Sequence, residues 1–155
     1  MSLPEFLEAS GYRRISLGRN RAGHFEVGGT LGDRAVLVLI DTGASSTVVN
    51  LPLAQELGLK MATQGRTGGG AGGTQLEIFQ LHDAELKVAD AIPRTDALYA
   101  MDLSHVNAAL ALKGATPVDV ILGVDVFDNQ AAVIDYGTSS LFLKEVLSSA
   151  ALSGS

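Results

Sequence analysis

The segment from residue 36 to residue 50 carries a single carboxylate between two apolar runs, and it is the stretch of this sequence best suited to chemistry. Residues 36–40 are all apolar, so they are predicted to form a strand that is buried on both faces. Asp41 comes directly after them, and Gly43 permits the turn that the backbone needs there. A carboxylate in such surroundings is costly unless it is hydrogen-bonded or functional. Asp41 is therefore expected to be either hydrogen-bonded or functional.

A second stretch that could carry chemistry is the glycine-rich segment at residues 64–74. Gly68, Gly70 and Gly73 formally match G-x-G-x-x-G, a dinucleotide-binding pattern that requires a strand before it and a helix after it. The sequence instead predicts a helix and a short polar loop before the segment. After the segment it predicts a β-hairpin with strands at residues 76–81 and 84–88. Nucleotide binding is therefore disfavoured, and the segment is interpreted as a mobile hairpin tip that lacks bulky side chains.

The remaining polar residues do not indicate a second site. His24, His82 and His105 lack the spacing of metal ligands, and each is interpreted as a surface or loop histidine. The chain has no cysteine, which excludes disulfides and thiolate metal sites. Asp125 and Asp128 lie three apart on a short predicted helix, where they are interpreted as an N-cap and a surface charge. No metal and no other cofactor is predicted.

The elements around Asp41 are predicted from hydrophobic patterning and from capping residues. Alternation that starts at His24 predicts a β-hairpin over residues 24–40, which delivers Asp41 at its end. Asn50 as an N-cap and Gly58 as a C-terminal stop then predict a helix of two turns.

Further helices and strands complete the predicted chain. Helical spacing of apolar residues predicts a helix capped by Asp102 or Ser104 and ended by Gly114. Short helical turns are predicted at residues 3–9 and from Asp125. Further strands are predicted at residues 86–92, 118–123, 131–135 and 140–143.

Three pieces of the sequence resemble the retropepsin-like aspartic proteases, the single-domain, retroviral-type form of the aspartic protease family. Asp41-Thr42-Gly43-Ala44 is similar to the active-site signature of that family. Residues 120–127, read as VILGVDVF, lie about 80 residues later and resemble the apolar-apolar-Gly strand beside the catalytic loop, with the short helix after it. Residues 132–137, read as AVIDYG, resemble bacterial members in particular. The similarity covers most of the chain from about Gly23 to Leu143.

The resemblance implies a mostly β fold, namely a retropepsin-like closed β-barrel (the acid protease fold) with two or three short helices. A chain of 155 residues is long enough for one domain with a buried core. The expected organisation is an N-terminal arm at residues 1–22, a retropepsin-like protease domain at residues 23–147 and a flexible tail at residues 148–155. No internal repeat occurs, so the two-lobed arrangement within one chain is not expected.

The function that the resemblance implies is that of an aspartic endopeptidase, a hydrolase acting on peptide or protein substrates. Such enzymes use two carboxylates that share one proton and one water, one as a base and the other to polarise the carbonyl group. One chain supplies one Asp-Thr-Gly, so the site is expected to be completed by a second copy in a two-fold symmetric homodimer.

The resemblance also implies roles for individual residues. Asp41 is the implied catalytic carboxylate, Thr42 hydrogen-bonds across the dimer, and Gly43 presents its backbone to the two carboxylates. Ala44 and Ser45 are implied to contact the main chain of the peptide. The glycine-rich tip is implied to be the flap that closes over the substrate, without the aromatic residue that pepsin-like flaps carry. Its implied substrate-binding residues are Gly68, Gly69, Gly70 and Ala71.

The sequence departs from retroviral members at the positions that stabilise their catalytic loops. Those proteins usually carry acidic residues where Ser45 and Ser46 stand, and an arginine where Val124 stands, and the arginine pairs with the first acid. Both partners are replaced here, so no charge is left unpaired. The dimer must then be held in another way, and the candidates are the N-terminal arm and residues 140–151.

Net charge, hydropathy and the N-terminal sequence argue against several other classes of function. The net charge of −6 argues against nucleic acid as the main partner. No apolar run approaches the roughly 18 to 20 residues of a membrane span. The N-terminus lacks the basic and apolar regions of a secretory signal, so a cytoplasmic location, or the loss of a preceding segment, is expected.

The alternative function is a catalytically weak or inactive module of the same fold that serves dimerisation or peptide binding. The intact Asp41-Thr42-Gly43 favours the enzyme, because a site without activity would be free to lose the carboxylate.

Overall fold

The computed structural model describes residues 1–69 and 75–145, and strands predominate among them. The strands are β1 Tyr12–Ser16, β2 Gly18–Arg19, β3 Phe25–Leu31, β4 Arg34–Ile40, β5 Val48–Asn50, β6 Lys60–Gly69, β7 Gln75–His82, β8 Leu86–Val88, β9 Leu98–Met101, β10 Val120–Leu122, β11 Val133–Asp135 and β12 Ser140–Lys144. The helices are α1 Leu3–Ala9, α2 Leu51–Glu56, α3 Ser104–Leu112 and α4 Val124–Asn129. The mostly β fold class is confirmed, with four short helices in the described residues. The predicted tail at residues 148–155 lies outside the described residues.

The strands form one large and one small sheet. The large sheet has the order β2-β3-β4-β10-β5-β9-β7-β6, with β8 added beside β3. The small sheet has the order β1-β12-β11, so a strand from the predicted N-terminal arm pairs with a strand near the end of the described chain. In the described residues the pairing of the large sheet runs from β2 to β6, and its closure into a barrel stays a prediction.

Strand β4 is an inner strand of the large sheet and contains the unbroken apolar run before Asp41. It pairs antiparallel with β3 across a turn that contains Gly32 at φ +60°, which confirms the predicted hairpin. Its other neighbour is β10, which runs parallel to it. Successive side chains of a strand point to opposite faces. Val38 and Ile40 pack into the larger hydrophobic cluster, whereas Leu39 packs into a smaller one against α3.

Helices α2 and α3 lie where the sequence predicts helices, but their N-terminal hydrogen bonds differ from the expected ones. Asn50 occupies the N-cap position of α2, yet its Oδ1 accepts a hydrogen bond from the Leu103 amide at 3.0 Å instead of capping the helix. At α3 the N-cap position is Leu103, and the Asp102 carboxylate accepts from the Ser104 amide at 2.8 Å. The bond from the Ser104 hydroxyl is the main cause that lowers the Asp102 pKa. None of the described helices is long and apolar enough to cross a membrane.

The predicted pairing of the segments around the glycine-rich stretch is wrong. Strand β7 pairs with β6 and not with the segment after it. The polar residues before the glycine-rich stretch are predicted as a loop because their composition gives a weak strand signal, but pairing with the apolar β7 overrides that local preference. After β7 the backbone adopts φ +60° at Asp83, which redirects the chain, and β8 pairs with β3.

Candidate active site

Asp41 lies where two central parallel strands end. Strands β4 and β10 pair in parallel, with Ile40 opposite Leu122. The Asp41 amide continues this ladder by donating to the Leu122 carbonyl oxygen at 3.1 Å. The backbone that carries the carboxylate is therefore held by pairing with β10, whose three residues are all buried.

The turn after Asp41 holds the carboxylate in place. The Gly43 amide donates to Asp41 Oδ1 at 2.9 Å, and the Ala44 amide donates to the Asp41 carbonyl oxygen at 3.2 Å. A Cβ atom at residue 43 would lie 3.2 Å from Asp41 Oδ1, so glycine leaves room for this close approach. Asp41 is half-buried, while Thr42 and Gly43 are exposed. One face of the predicted catalytic tripeptide is thus open to another molecule.

Gly123 lies directly behind this turn, beside the backbone of residues 44–46. A Cβ atom there would lie 2.7 Å from the carbonyl oxygens of both Ala44 and Ser46, a distance that real Cβ atoms essentially never show. The next amide, that of Val124, donates to the Ala44 carbonyl oxygen at 2.8 Å. The apolar-apolar-Gly segment therefore lies beside the Asp41 turn, as the resemblance implied.

The role predicted for Asp125 is wrong. The N-cap position of α4 is Gly123, and Asp125 is directed at Thr47 and Thr95. Asp125 Oδ1 accepts from the Thr47 hydroxyl at 2.8 Å, and Oδ2 accepts from the Thr47 amide at 3.2 Å and the Thr95 hydroxyl at 2.6 Å. Thr47 Oγ1 in turn accepts from the Gly123 amide at 3.0 Å.

This set of hydrogen bonds ties the end of the Asp41 loop to α4 without an ionic pair. Thr47 is completely buried, so its hydroxyl and amide need the partners that Asp125 and Gly123 supply. Asp128 on the same helix is exposed, in agreement with its interpretation as a surface charge. The sequence signal for these contacts is Thr47, which stands beside the buried residues Val48 and Val49. A polar residue in an apolar segment implies a hydrogen-bond partner from elsewhere in the chain.

The predicted substrate-binding residues lie in two separate elements. Ala44 and Ser45 belong to the Asp41 turn, where Ala44 is half-buried and Ser45 is exposed. Gly68 and Gly69 lie at the end of β6, opposite residues of β7. Gly70 and Ala71 lie outside the described residues.

Neither a dinucleotide motif nor a metal cluster is supported by the described residues. Gly68 lies in a strand, and the element after the glycine-rich segment is the strand β7, whereas the motif requires a helix there. Gly73, its last glycine, lies outside the described residues. The part of the chain that the structure describes contains no group of three or more side chains arranged to hold a metal ion.

A cavity of about 260 Å³ opens beside Asp41. The end of β4, the loop before β3 and helix α3 enclose it. It is lined by Ala22, His24, Leu39, Ile40, Asp41, Val106, Ala109, Leu110 and Lys113. A larger cavity of about 620 Å³ lies between β7, β8 and residues 92–98 and does not include Asp41.

Comparison with known proteins agrees with this geometry. The family model described as aspartyl protease matches residues 27–126, which include both the Asp41 turn and the Gly123 segment. The fold is similar to that of a retropepsin-like aspartic protease from Rickettsia conorii, at 21% identity and a TM-score of 0.53, over 85% of this chain and 90% of that one. It is also similar to the retroviral protease-like domain of Ddi1 from Leishmania major, at 19% identity and a TM-score of 0.52, over 78% of this chain and 88% of that one.

No curated protein sequence gave a significant match. The structural similarities confirm the retropepsin-like fold, and the family model covers well over half of the chain. This chain is therefore a member of the aspartyl protease family with a retropepsin-like fold.

Proposed function

We propose that this protein is an aspartic endopeptidase that hydrolyses peptide bonds with two Asp41 carboxylates, one from each subunit of a homodimer. The observation that carries the proposal is the geometry of the Asp41 turn in a member of the aspartyl protease family. The carboxylate is held by the Gly43 amide at the end of two buried strands, while the surface of the turn stays open.

The proposed mechanism uses the two carboxylates in complementary protonation states. Two carboxyl groups about 3 Å apart cannot both ionise, because their negative charges repel, so the pair holds one proton between them. The ionised carboxylate takes a proton from a water molecule, whose oxygen forms a bond to the carbonyl carbon of the peptide. The protonated carboxylate gives its proton to the carbonyl oxygen, which yields a neutral tetrahedral intermediate. The C–N bond then breaks as the nitrogen accepts a proton from one carboxyl group, while the other carboxylate takes a proton from a hydroxyl group of the intermediate. This step releases an amine and a carboxylic acid and leaves one proton on the pair.

Thr42 supports the assignment of a second copy at this site. Its side chain is exposed, and its hydroxyl has no hydrogen-bond partner within residues 1–69 and 75–145. In the proposed dimer the two Asp41 turns face each other across the two-fold axis, where each Thr42 hydroxyl would find a partner in the other subunit. A single chain, with one Asp-Thr-Gly, is incomplete on this account.

The small sheet is the proposed place where the subunits are held together away from the active site. It combines both segments that the sequence suggested for this purpose, since β1 pairs with β12 from Tyr12 opposite Lys144 to Ser16 opposite Ser140. Strand β1 is at the edge of this sheet and has free backbone groups on its other side in the described residues.

The test compares cleavage of a peptide library by the wild type and by Asp41→Asn between about pH 4 and pH 7. The wild type is expected to cleave, and Asp41→Asn is expected to lose activity by at least about 10²-fold, the scale of an acid–base group. Asp128→Asn is the matched control, because it removes an exposed carboxylate elsewhere and should retain activity. A well-folded wild type that binds peptides without cleaving any would instead support the peptide-binding module.

A further inference from the structure

The cavity beside Asp41 is placed to contact any peptide that reaches the catalytic carboxylate. Asp41 itself forms part of its lining, together with Leu39 and Ile40 from the end of β4. Helix α3 forms the opposite wall through Val106 and Leu110. A volume of about 260 Å³ is enough for one amino-acid side chain but not for a larger ligand.

The wall that α3 contributes is fixed by packing and by hydrogen bonds. Leu110 is buried in the smaller hydrophobic cluster together with Leu39. The Asn107 side chain accepts from the Val118 amide at 2.8 Å and donates to the Val118 carbonyl oxygen at 3.1 Å. The cavity therefore exists before any substrate binds.

The rim of the cavity is basic, although the chain as a whole has a net charge of −6. His24 and Lys113 are exposed residues at the rim, and Asp41 is the one acidic residue that contributes to the lining. Arg21 lies close to Lys113 along the surface, because its Cδ lies 3.4 Å from the position of a Cβ atom on Gly114. Lys113 makes no salt bridge with the residues that the structure describes, so its charge is not neutralised there.

Hydrogen bonds with Asn20 hold the backbone of the loop that carries His24. Asn20 Oδ1 accepts from the amides of Ala22 and His24 at 2.9 and 3.0 Å, and the Asn20 amide donates to the His24 carbonyl oxygen at 2.9 Å. Before the loop, the Arg19 guanidinium lies 4.4 Å from the centre of the Phe25 ring, a cation–π contact. These contacts fix the backbone position of His24 at the rim of the cavity.

We propose that this cavity is a specificity pocket for a substrate side chain next to the scissile bond, and that Lys113 and His24 make it prefer glutamate or aspartate over lysine or arginine. The inference rests on the proposed function. The methylene groups of a glutamate side chain fit the apolar walls, while its carboxylate reaches the basic rim. In a two-fold symmetric dimer one pocket flanks each side of the scissile bond, so the preference applies to either neighbouring residue.

The test measures kcat/KM for three peptides that differ only in glutamate, glutamine or lysine at a residue flanking the cleaved bond. The wild type is expected to favour the glutamate peptide over the lysine peptide by about three- to ten-fold, the scale of partly exposed charge pairs. Lys113→Gln should reduce this ratio, and Lys113→Glu should invert it. Lys87→Glu is the matched control, because it makes the same change of charge on β8, away from Asp41, and should leave the ratio unchanged.

A binding measurement separates failure of this inference from failure of the proposed function. Fluorescence anisotropy of the same three sequences as non-cleavable reduced-amide peptides reports the pocket in Asp41→Asn, where no cleavage occurs. The inference predicts tighter binding of the glutamate peptide, with the order inverted by adding Lys113→Glu. Equal affinities for all three peptides, or a ratio that Lys113→Glu leaves unchanged, would overturn the inference even if cleavage is normal. A wild type that cleaves none of the three peptides, together with a retained binding preference in Asp41→Asn, would overturn the proposed function alone.

Discussion

The Asp41 turn depends on a carboxylate that takes no part in the proposed chemistry. Asp125 accepts hydrogen bonds from both the amide and the hydroxyl of Thr47 and from the hydroxyl of Thr95. Thr47 is buried and ends the loop that begins at Asp41. These bonds connect α4 to the loop in a chain that has Ser45 and Val124 in place of an acid–arginine pair, so the position of the loop is set by hydrogen bonds to neutral groups.

Removal of the Asp125 carboxylate should therefore destabilise the protein and disturb the site. Asp125→Ala leaves the donors of buried Thr47 without partners, which is expected to lower the free energy of unfolding by about 1–3 kcal/mol. Asp125→Asn keeps one acceptor oxygen and should cost less. Chemical denaturation measures the effect, with Asp128→Ala as the control on the same helix, expected within about 0.5 kcal/mol of the wild type. Equal stability of Asp125→Ala and Asp128→Ala would show that these bonds do not hold the loop.

The sequence predicts the Asp41 turn well but not its support. A carboxylate after a strand and before a glycine is a local pattern, and the local hydrogen bond from the Gly43 amide is a consequence of it. The partners of Asp125 lie far away along the chain, and only the pairing of β10 with β4 and β5 brings Thr47 beside α4. Local patterns cannot contain that information.

At the scale of elements, helix α3 decides the shape of the surface beside Asp41. It forms one wall of the cavity and packs on the face of the sheet that includes Leu39. Its position depends on the two hydrogen bonds between the Asn107 side chain and the backbone of Val118, the residue two before β10. The helix and the catalytic strand pair are thereby linked through one side chain.

Asn107→Ala should loosen this link. The substitution removes the hydrogen-bond partners of the Val118 amide and carbonyl groups. Because Val118 is buried, the free energy of unfolding is expected to fall by about 1–3 kcal/mol. The preference of the cavity for the glutamate peptide over the lysine peptide should also decrease, because the α3 wall is no longer fixed. Denaturation and the peptide series measure both effects. Asn129→Ala is the control, because it removes a side-chain hydrogen bond to a backbone carbonyl, that of Arg94, at an exposed position. An Asn107→Ala protein that retains full stability and selectivity would contradict the linkage.

The element boundaries show where sequence patterns suffice and where they do not. The hairpin of β3 and β4 is predictable from alternation and a glycine turn, and Gly58 and Gly114 end α2 and α3 at positive φ as predicted. The sequence does not predict strand β6, because its polar residues carry little strand preference of their own, and its structure comes from pairing with β7. The backbone at Asp83, with φ +60°, then separates β7 from the segment that was expected to pair with it.

At the scale of the whole molecule, the open face of the Asp41 turn is the feature that the proposed dimer must complete. Thr42 and Gly43 are exposed, while Val38, Leu39 and Ile40, the last three residues of β4, are buried. The segments near the two ends of the described chain meet in the small sheet, since β1 pairs with β12 and the Glu145 amide donates to the Gly11 carbonyl oxygen at 3.0 Å. The proposed subunit contacts therefore lie at the active-site turn and at the edge of this sheet.

Activity and assembly measured over one dilution series test the shared site most directly. Sedimentation gives the fraction of dimer, and cleavage of a single peptide gives the activity per chain at the same concentrations. One Asp41 cannot form a carboxylate pair, so activity per chain should fall in proportion to the dimer fraction, and excess Asp41→Asn added to the wild type should suppress it further. Activity per chain that stays constant well into the monomeric range would contradict the shared site and would place the second catalytic group within one chain.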